Sequence, residues 1–254
     1  MTTLGNYKII KQIGQGGFAR AYEAEHTLLE TKACLKQNIN VSPQDTELMK
    51  MEAKVLWDIH HYSLPQIKDF FPAGDGSYVI ALNLAKGKNL DEIVSKKGPI
   101  HPEDVCWITQ RLLNALHYLH ANGIVHCDVK PENIILQPEI HNIALIDYGL
   151  SAFRPKHDTS PLGYTKAYAA PELLQNKPPI PESDLYGVGM VMLHALGGDV
   201  LAKNFPKHVP DPVKQYAEAF LKYNPVDRPN WEKENLIQKL SDIREAVFGR
   251  RHTM

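Results

Sequence analysis

The first 40 residues alternate short β-branched and aromatic runs with glycine and charge. Residues 7–13 are β-rich, a glycine cluster interrupts them, residues 21–26 resume the pattern and residues 32–37 make a third short run, so the chain opens as a small antiparallel sheet. The texture changes at Ser42-Pro43-Gln44-Asp45: a hydroxyl cap, a proline at the first helical position and an acid in the first turn mark a helix start. That helix is expected to run to about Ile59, with Leu48, Met51, Val55, Leu56 and Ile59 as an apolar stripe and Glu52 inside it. A carboxylate there either meets a cation or flanks the stripe and reaches water, and the helix alone leaves both open. Two more strands follow at residues 66–71 and 78–84, joined by the turn Ala73-Gly74-Asp75-Gly76.

From there the periodicity is helical. Asn89 can cap a short helix with Glu92 three residues on. A long helix opens at Pro102 and stops at Asn122-Gly123, burying Val105, Ile108, Leu112, Ala115, Leu116 and Leu119. Helices at residues 182–196, 212–223 and 232–248 complete the chain, and no repeat or low-complexity linker interrupts it. The plan is α+β: a five-stranded antiparallel β lobe with one helix, residues 1–85, a crossing near residues 83–86, and a larger, mostly α-helical lobe, residues 87–254.

Composition narrows the function classes. With 43% hydrophobic and 22% charged residues in 254, the chain is an ordinary globular one and disorder is excluded. Its 28 Lys and Arg balance 29 Asp and Glu, so no global field recruits nucleic acid or a membrane surface, and neither is expected as a partner. No apolar stretch approaches the roughly 20 residues that span a bilayer, and the first six residues carry no basic apolar signal. The expectation is a cytoplasmic protein. Cys34, Cys106 and Cys127 lack CxxC spacing and read as free thiols in a reducing compartment. The basic tail Arg250-Arg251-His252 reads as a frayed terminus.

Candidate chemistry gathers in a few segments. Gly14-Gln15-Gly16-Gly17-Phe18-Ala19 lies between two strands; glycines there let backbone N–H groups approach phosphates, although an ordinary hairpin has the same composition. A Rossmann site would need a helix after it. Lys36 ends an apolar strand, where an edge lysine reaching water is the plainer reading. The decisive segment is His126-Cys127-Asp128-Val129-Lys130-Pro131-Glu132-Asn133: an aspartate, a lysine two on and an asparagine five on form a base, a cation and a metal ligand that can converge on a phosphoryl group. Asp147-Tyr148-Gly149 follows the apolar run at residues 143–146, and Ala170-Pro171-Glu172 comes after it.

In this order the motifs resemble the eukaryotic-type serine/threonine protein kinase family, over essentially the whole chain. The resemblance implies one complete, competent protein kinase domain of bilobal fold across residues 1–254. It also implies ATP with Mg²⁺, or Mn²⁺ in its place, as cofactor, and a protein with a serine or threonine acceptor as substrate. Residue by residue, Gly14, Gly16 and Gly17 resemble the loop over the ATP phosphates, with Ala19 replacing a third glycine. Lys36 resembles the lysine that holds the α and β phosphates, and Glu52 the glutamate that pairs with it. Asp128 is the implied base, Lys130 the cation that neutralises the moving group, and Asn133 and Asp147 the Mg²⁺ ligands. Ile13, Ala21, Cys34, Leu82 as gatekeeper, the backbone of Asn83 and Ala85, and Ile135 are the implied adenine contacts; Cys34 is also read as a small buried strand residue. Asp184 resembles an aspartate that braces the catalytic loop, and Arg228 an arginine that pairs with Glu172. Lys130 and Thr165 match the serine/threonine branch.

Three departures carry expectations of their own. Cys127 stands where many members have an arginine that receives an activation-loop phosphate, which implies activity independent of phosphorylation at Thr159 or Ser160. Tyr148 replaces phenylalanine and adds a hydroxyl in need of a partner. Only about sixteen residues separate the helix ending near Leu196 from the one starting near Val213, which implies a shortened docking surface. Two alternatives stay open: a scaffold that binds ATP or a partner without turnover, against which the full set of catalytic residues argues, and a small-molecule kinase, against which Ala170-Pro171-Glu172 and Thr165 argue.

Overall fold

The computed structural model describes residues 2–250, in two compact units, Met1–Lys86 and Gly87–Met254. In the first, β1 (Thr3–Leu4), β2 (Tyr7–Gln15), β3 (Ala19–His26), β4 (Lys32–Asn38), β5 (Ile67–Pro72) and β6 (Tyr78–Asn83) form one antiparallel sheet in the order β1-β2-β3-β4-β6-β5. The two-residue β1 joins the five strands read from the pattern. One face buries Leu4, Tyr7, Ala24, Ala33, Leu35, Val79 and Ala81. Gly74 and Gly76 take φ of +83° and +91° in the turn before β6, which only glycine adopts without strain.

Helix α1 (Pro43–Trp57) starts where its cap predicts: the Ser42 hydroxyl accepts the Asp45 N–H at 3.1 Å. Its buried face differs from the expected stripe. Met49, Glu52, Ala53 and Leu56 are buried while Met51 is 45% exposed, so the helix is turned by about one residue, 100° of helical rotation. The reason is electrostatic and lies outside the helix: Glu52 must face a strand cation, and Met49 and Ala53 come inward with it.

The second unit contains β7 (Lys88–Asn89), α2 (Leu90–Lys97), α3 (Pro102–Ala121), β8 (Ile124–Val125), β9 (Ile134–Gln137), β10 (Asn142–Leu145), β11 (Ala152–Phe153), α4 (Pro171–Leu174), α5 (Pro181–Ala195), α6 (Asp211–Phe220) and α7 (Leu236–Phe248). Asn89 caps α2 by accepting the Glu92 N–H at 2.8 Å. Helix α3 buries all six of its expected apolar residues. Helix α5 is buried nearly all round, the mark of a core helix. Helix α7 begins at Leu236, four residues later than its periodicity suggested, because the Asn235 side chain accepts the Gln238 N–H and caps it there. No helix lies between Ala195 and Asp211; a single bridge between Asp199 and Asn204 closes the turn.

The C-terminal tail corrects one expectation. Arg250 is no frayed residue: its Nε and Nη2 fork onto the buried Glu103 carboxylate at 2.5 and 2.8 Å, and those bonds hold Glu103 below its ordinary pKa despite burial. Arg251 and His252 lie outside the described residues. No helix among the described residues is long and apolar enough to cross a membrane.

Candidate active site

In the first unit the strand register gathers one group of the expected residues. Gly14 pairs with Ala21, Ala21 with Lys36, and Cys34 with Leu82. Directly opposed residues, and residues two apart on one strand, share a face, so Gly14, Ala21, Cys34, Lys36 and Leu82 share one. Lys36 is not an edge lysine: its Nζ donates to Glu52 Oε1 at 2.6 Å, and the carboxylate is 5% exposed. A buried carboxylate needs such a partner. Gly16 and Gly17 have nothing within 4 Å of where a Cβ would stand, which leaves the backbone of this turn open to close approach, while the Gly16 N–H itself donates to Ala19 O at 2.9 Å and closes the turn. Ile13 is 45% exposed. The Asn83 N–H is committed to Gln66 O at 3.0 Å, so its carbonyl is the backbone group left for a ligand; Ala85 follows β6. Burial pushes the Cys34 thiol up to about 11, which keeps it protonated at neutral pH.

In the second unit, α3 and β8 deliver the chain to a sharp reversal. Cys127 takes φ of +67°, a left-handed conformation that costs a non-glycine residue about 1–3 kcal/mol. It is held there because the Asp184 carboxylate, buried on α5, accepts the backbone N–H groups of His126 and Cys127 at 2.8 Å each. His120 Nε2 meets the same carboxylate at 2.8 Å. The turn aims Asp128 into a cluster: Thr165 Oγ1 donates to its Oδ1 at 2.7 Å, Lys130 Nζ meets its Oδ2 at 2.7 Å, and Asn133 Nδ2 donates to its Oδ2 at 3.0 Å and its backbone carbonyl at 2.9 Å. Lys130 also donates to Thr165 Oγ1 at 2.8 Å. An acceptor, a cation and a hydroxyl therefore share one point.

The hairpin β9–β10 sets the next pair. Leu145 opposes Ile134, and the Ile146 N–H donates to Asn133 O at 2.9 Å, so Asn133, just before β9, and Asp147, just after β10, emerge at the same hairpin end. Asp147 takes φ of +67° and is exposed. Tyr148 finds its hydroxyl partner in Leu145 O at 3.2 Å and packs edge-on against His126, with ring centroids 4.9 Å apart. Ile135 lies on β9, opposite Ala144 and Asn89. Further along, Arg228 forks onto Glu172 at 2.7 and 2.8 Å. Burial raises the Glu172 carboxyl, but the hydrogen bonds and charge of Arg228, helped by Ser183, outweigh it and hold the group below its ordinary value.

A protein kinase domain family matches residues 7–241. The chain belongs to the protein kinase family. Among curated relatives, this kinase domain is 30% identical over 77% of its length to the serine/threonine-protein kinase PrkC of Bacillus subtilis, covering 31% of that protein. It is 30% identical over 76% of its length to the serine/threonine-protein kinase PknH of Mycobacterium tuberculosis, covering 32% of it. To the hormonally up-regulated neu tumor-associated kinase homolog A of Xenopus laevis it is 27% identical over 94% of its length, covering 38%. The chain thus spans about a third of the length of these relatives.

Within the kinase domain, two contributors escaped the sequence reading. Thr165 was read only as a marker of the serine/threonine branch, yet its hydroxyl ties Lys130 to Asp128. His120 lay unmarked in the last turn of α3, where nothing in its neighbours announces a partner 64 residues away.

Proposed function

We propose that this protein is an ATP-dependent serine/threonine protein kinase. The observation that carries the reading is the Asp128 carboxylate held at 2.7–3.0 Å by Thr165, Lys130 and Asn133. Asp128 accepts the proton of the substrate hydroxyl as that oxygen attacks the γ-phosphorus, the bond to the β,γ-bridging oxygen breaks and ADP leaves. Lys130, 2.7 Å from Asp128, stabilises charge on the transferring group. Lys36, held by Glu52, binds the α and β phosphates, and the turn carrying Gly14, Gly16 and Gly17 covers them. The face carrying Ala21, Cys34 and Leu82, with Ile13, the Asn83 carbonyl and the Ala85 backbone, takes the adenine.

The metal donors fit Mg²⁺. Asn133 spends its Nδ2 on Asp128, which turns its oxygen to the other side of the amide, and Asp147 offers an exposed carboxylate; Mg²⁺ is ordinarily held by one or two such oxygens together with phosphates. When bound, the ion neutralises phosphate charge and fixes the angle of transfer. Mn²⁺ has the same donor preference. Cys127, buried and with Sγ donating to Val125 O at 3.4 Å, offers no cation to a loop phosphate, which supports activity without phosphorylation at Thr159 or Ser160. The short α5–α6 connection supports a reduced docking surface for a protein substrate. The protein works in the cytoplasm.

The test is transfer from labelled ATP with Mg²⁺ to a generic basic protein and to the chain itself, comparing wild type with Asp128→Asn. We expect acid-stable phosphoserine or phosphothreonine, reduced at least a hundredfold in the variant, in line with the roughly 10²–10⁴-fold typical of a general base. ATP binding without any transfer would instead establish a nucleotide-binding scaffold.

A further inference from the structure

Trp231 lies in the turn between α6 and α7, anchored by its neighbour Asn230, whose side chain donates to Glu182 Oε1 at 3.1 Å. The indole Nε1–H donates to His120 Nδ1 at 2.9 Å, and His117, one turn back on α3, packs against the indole at a tilt of 35° with centroids 4.7 Å apart. Indole N–H is a donor and never an acceptor. His120 Nδ1 must therefore carry a lone pair, and the ring's one proton is on Nε2, where it donates to Asp184 Oδ2 at 2.8 Å. That carboxylate is the same one that accepts the His126 and Cys127 N–H groups and holds Cys127 at φ of +67°. Three hydrogen bonds thus run from the indole to Cys127, the residue preceding Asp128.

We propose that Trp231 is a positioning residue for Asp128: it fixes the tautomer of His120, and through it the Asp184 clamp on the catalytic turn. The side chain of His120 is 3% exposed and that of Asp184 is fully buried, so water is not at hand to replace a lost donor. Without the indole N–H, an imidazole with its proton on Nδ1 turns a lone pair toward the Asp184 carboxylate, and the clamp loses its third donor. The two remaining bonds then hold the left-handed Cys127 turn alone, and the Asp128 carboxylate wanders from the geometry that transfer requires. The effect is on catalysis rather than on nucleotide affinity.

The experiment uses the full chain. In wild type, ¹⁵N-histidine NMR should show His120 with one bare Nδ1 and one protonated Nε2. Trp231→Phe, which keeps an aromatic ring against His117 and deletes only the donor, should give a mixture of tautomers and shift the His126 and Cys127 amide resonances. It should also lower kcat about fivefold to tenfold with KM for ATP within about twofold. His120→Gln has an amide that donates to Asp184 without tautomers, so adding Trp231→Phe to it should cost less than about twofold more. Wild-type His120 protonated on Nδ1, nitrogen and amide signals unmoved in Trp231→Phe, or a full loss of rate in the His120→Gln background would overturn the proposal. The rate measurements rest on the transferase reading; the nitrogen and amide signals do not, so a chain without transfer activity still decides the relay.

Discussion

At the scale of single residues, Arg228 shows what a buried charge demands. It is 1% exposed, and its five N–H groups are spent on Lys222 O, Glu172 Oε1, Glu182 O, Glu172 Oε2 and Tyr223 O, while its Cζ lies 5.0 Å from the Tyr186 ring centre. Only a guanidinium offers five donors in a fixed fork. Arg228→Ala should therefore lower unfolding stability in urea by about 3–5 kcal/mol, the usual cost of leaving a buried partner charge uncompensated, and Arg228→Lys should recover less than half of it. Glu172 adds a pH dependence. Its folded pKa lies below its unfolded value, so the stability it contributes is complete above the unfolded carboxylate value of about 4.3 and is lost as pH falls through the lower folded value. Glu103 under Arg250 behaves in the same sense. Denaturation midpoints should be flat in this respect from pH 7 to about 5 and fall below about 4; a fall already complete by pH 6 would point to histidines instead.

At the scale of elements, α5 is the surface on which the turn carrying Asp128 rests. A Cβ on Gly187 would stand 2.7 Å from Val129 Cβ and 2.9 Å from Val129 O, and one on Gly189 would stand 3.0 Å from Ala217 O and 2.8 Å from Leu221 Cδ2. Both glycines are helical, so neither is needed for backbone freedom; they are there for close approach. Gly187→Ala improves helix propensity by about 1 kcal/mol, yet it should reduce kcat at least tenfold, because Val129 sits between Asp128 and Lys130 and a displacement near 1 Å there costs on the order of a hundredfold. Steady-state kinetics beside a thermal melt check this, and an unchanged kcat would show that the loop yields freely. At α7 the cap decides the start: Asn235→Ala should cost about 1 kcal/mol in a chemical melt. The caps at Ser42 and Asn89 were legible because a side chain and an N–H three residues on carry them. The inward face of α1 was not, because apolar spacing ranks Leu48 and Met51 with Met49 and Ala53 until Lys36 draws Glu52 inward.

At the scale of the whole molecule, the proposed independence from loop phosphorylation turns on the residue before Asp128. Cys127 stands buried beside Asp128, the proposed base, and burial raises its thiol well above the ordinary range, so the position offers no cation to an anion. Replacing Thr159 and Ser160 together with alanine should leave the transfer rate within about threefold, roughly 0.7 kcal/mol in barrier; a hundredfold loss would mean that another cation receives a phosphate in this loop. What the sequence determined by itself was whatever short-range chemistry encodes: strand and helix order, the caps and glycine turns, and the motif order that carries the family resemblance, with Asp128, Lys130 and Asn133 within six consecutive residues. Tertiary structure alone decided which distant groups meet. Thr165 reaches Asp128 across 37 positions, His120 reaches Asp184 across 64, Trp231 reaches His120 across 111 and Arg250 reaches Glu103 across 147. A donor's type is written in its residue, but its partner is chosen by packing, since a buried donor takes the acceptor that the folded chain brings within about 3 Å.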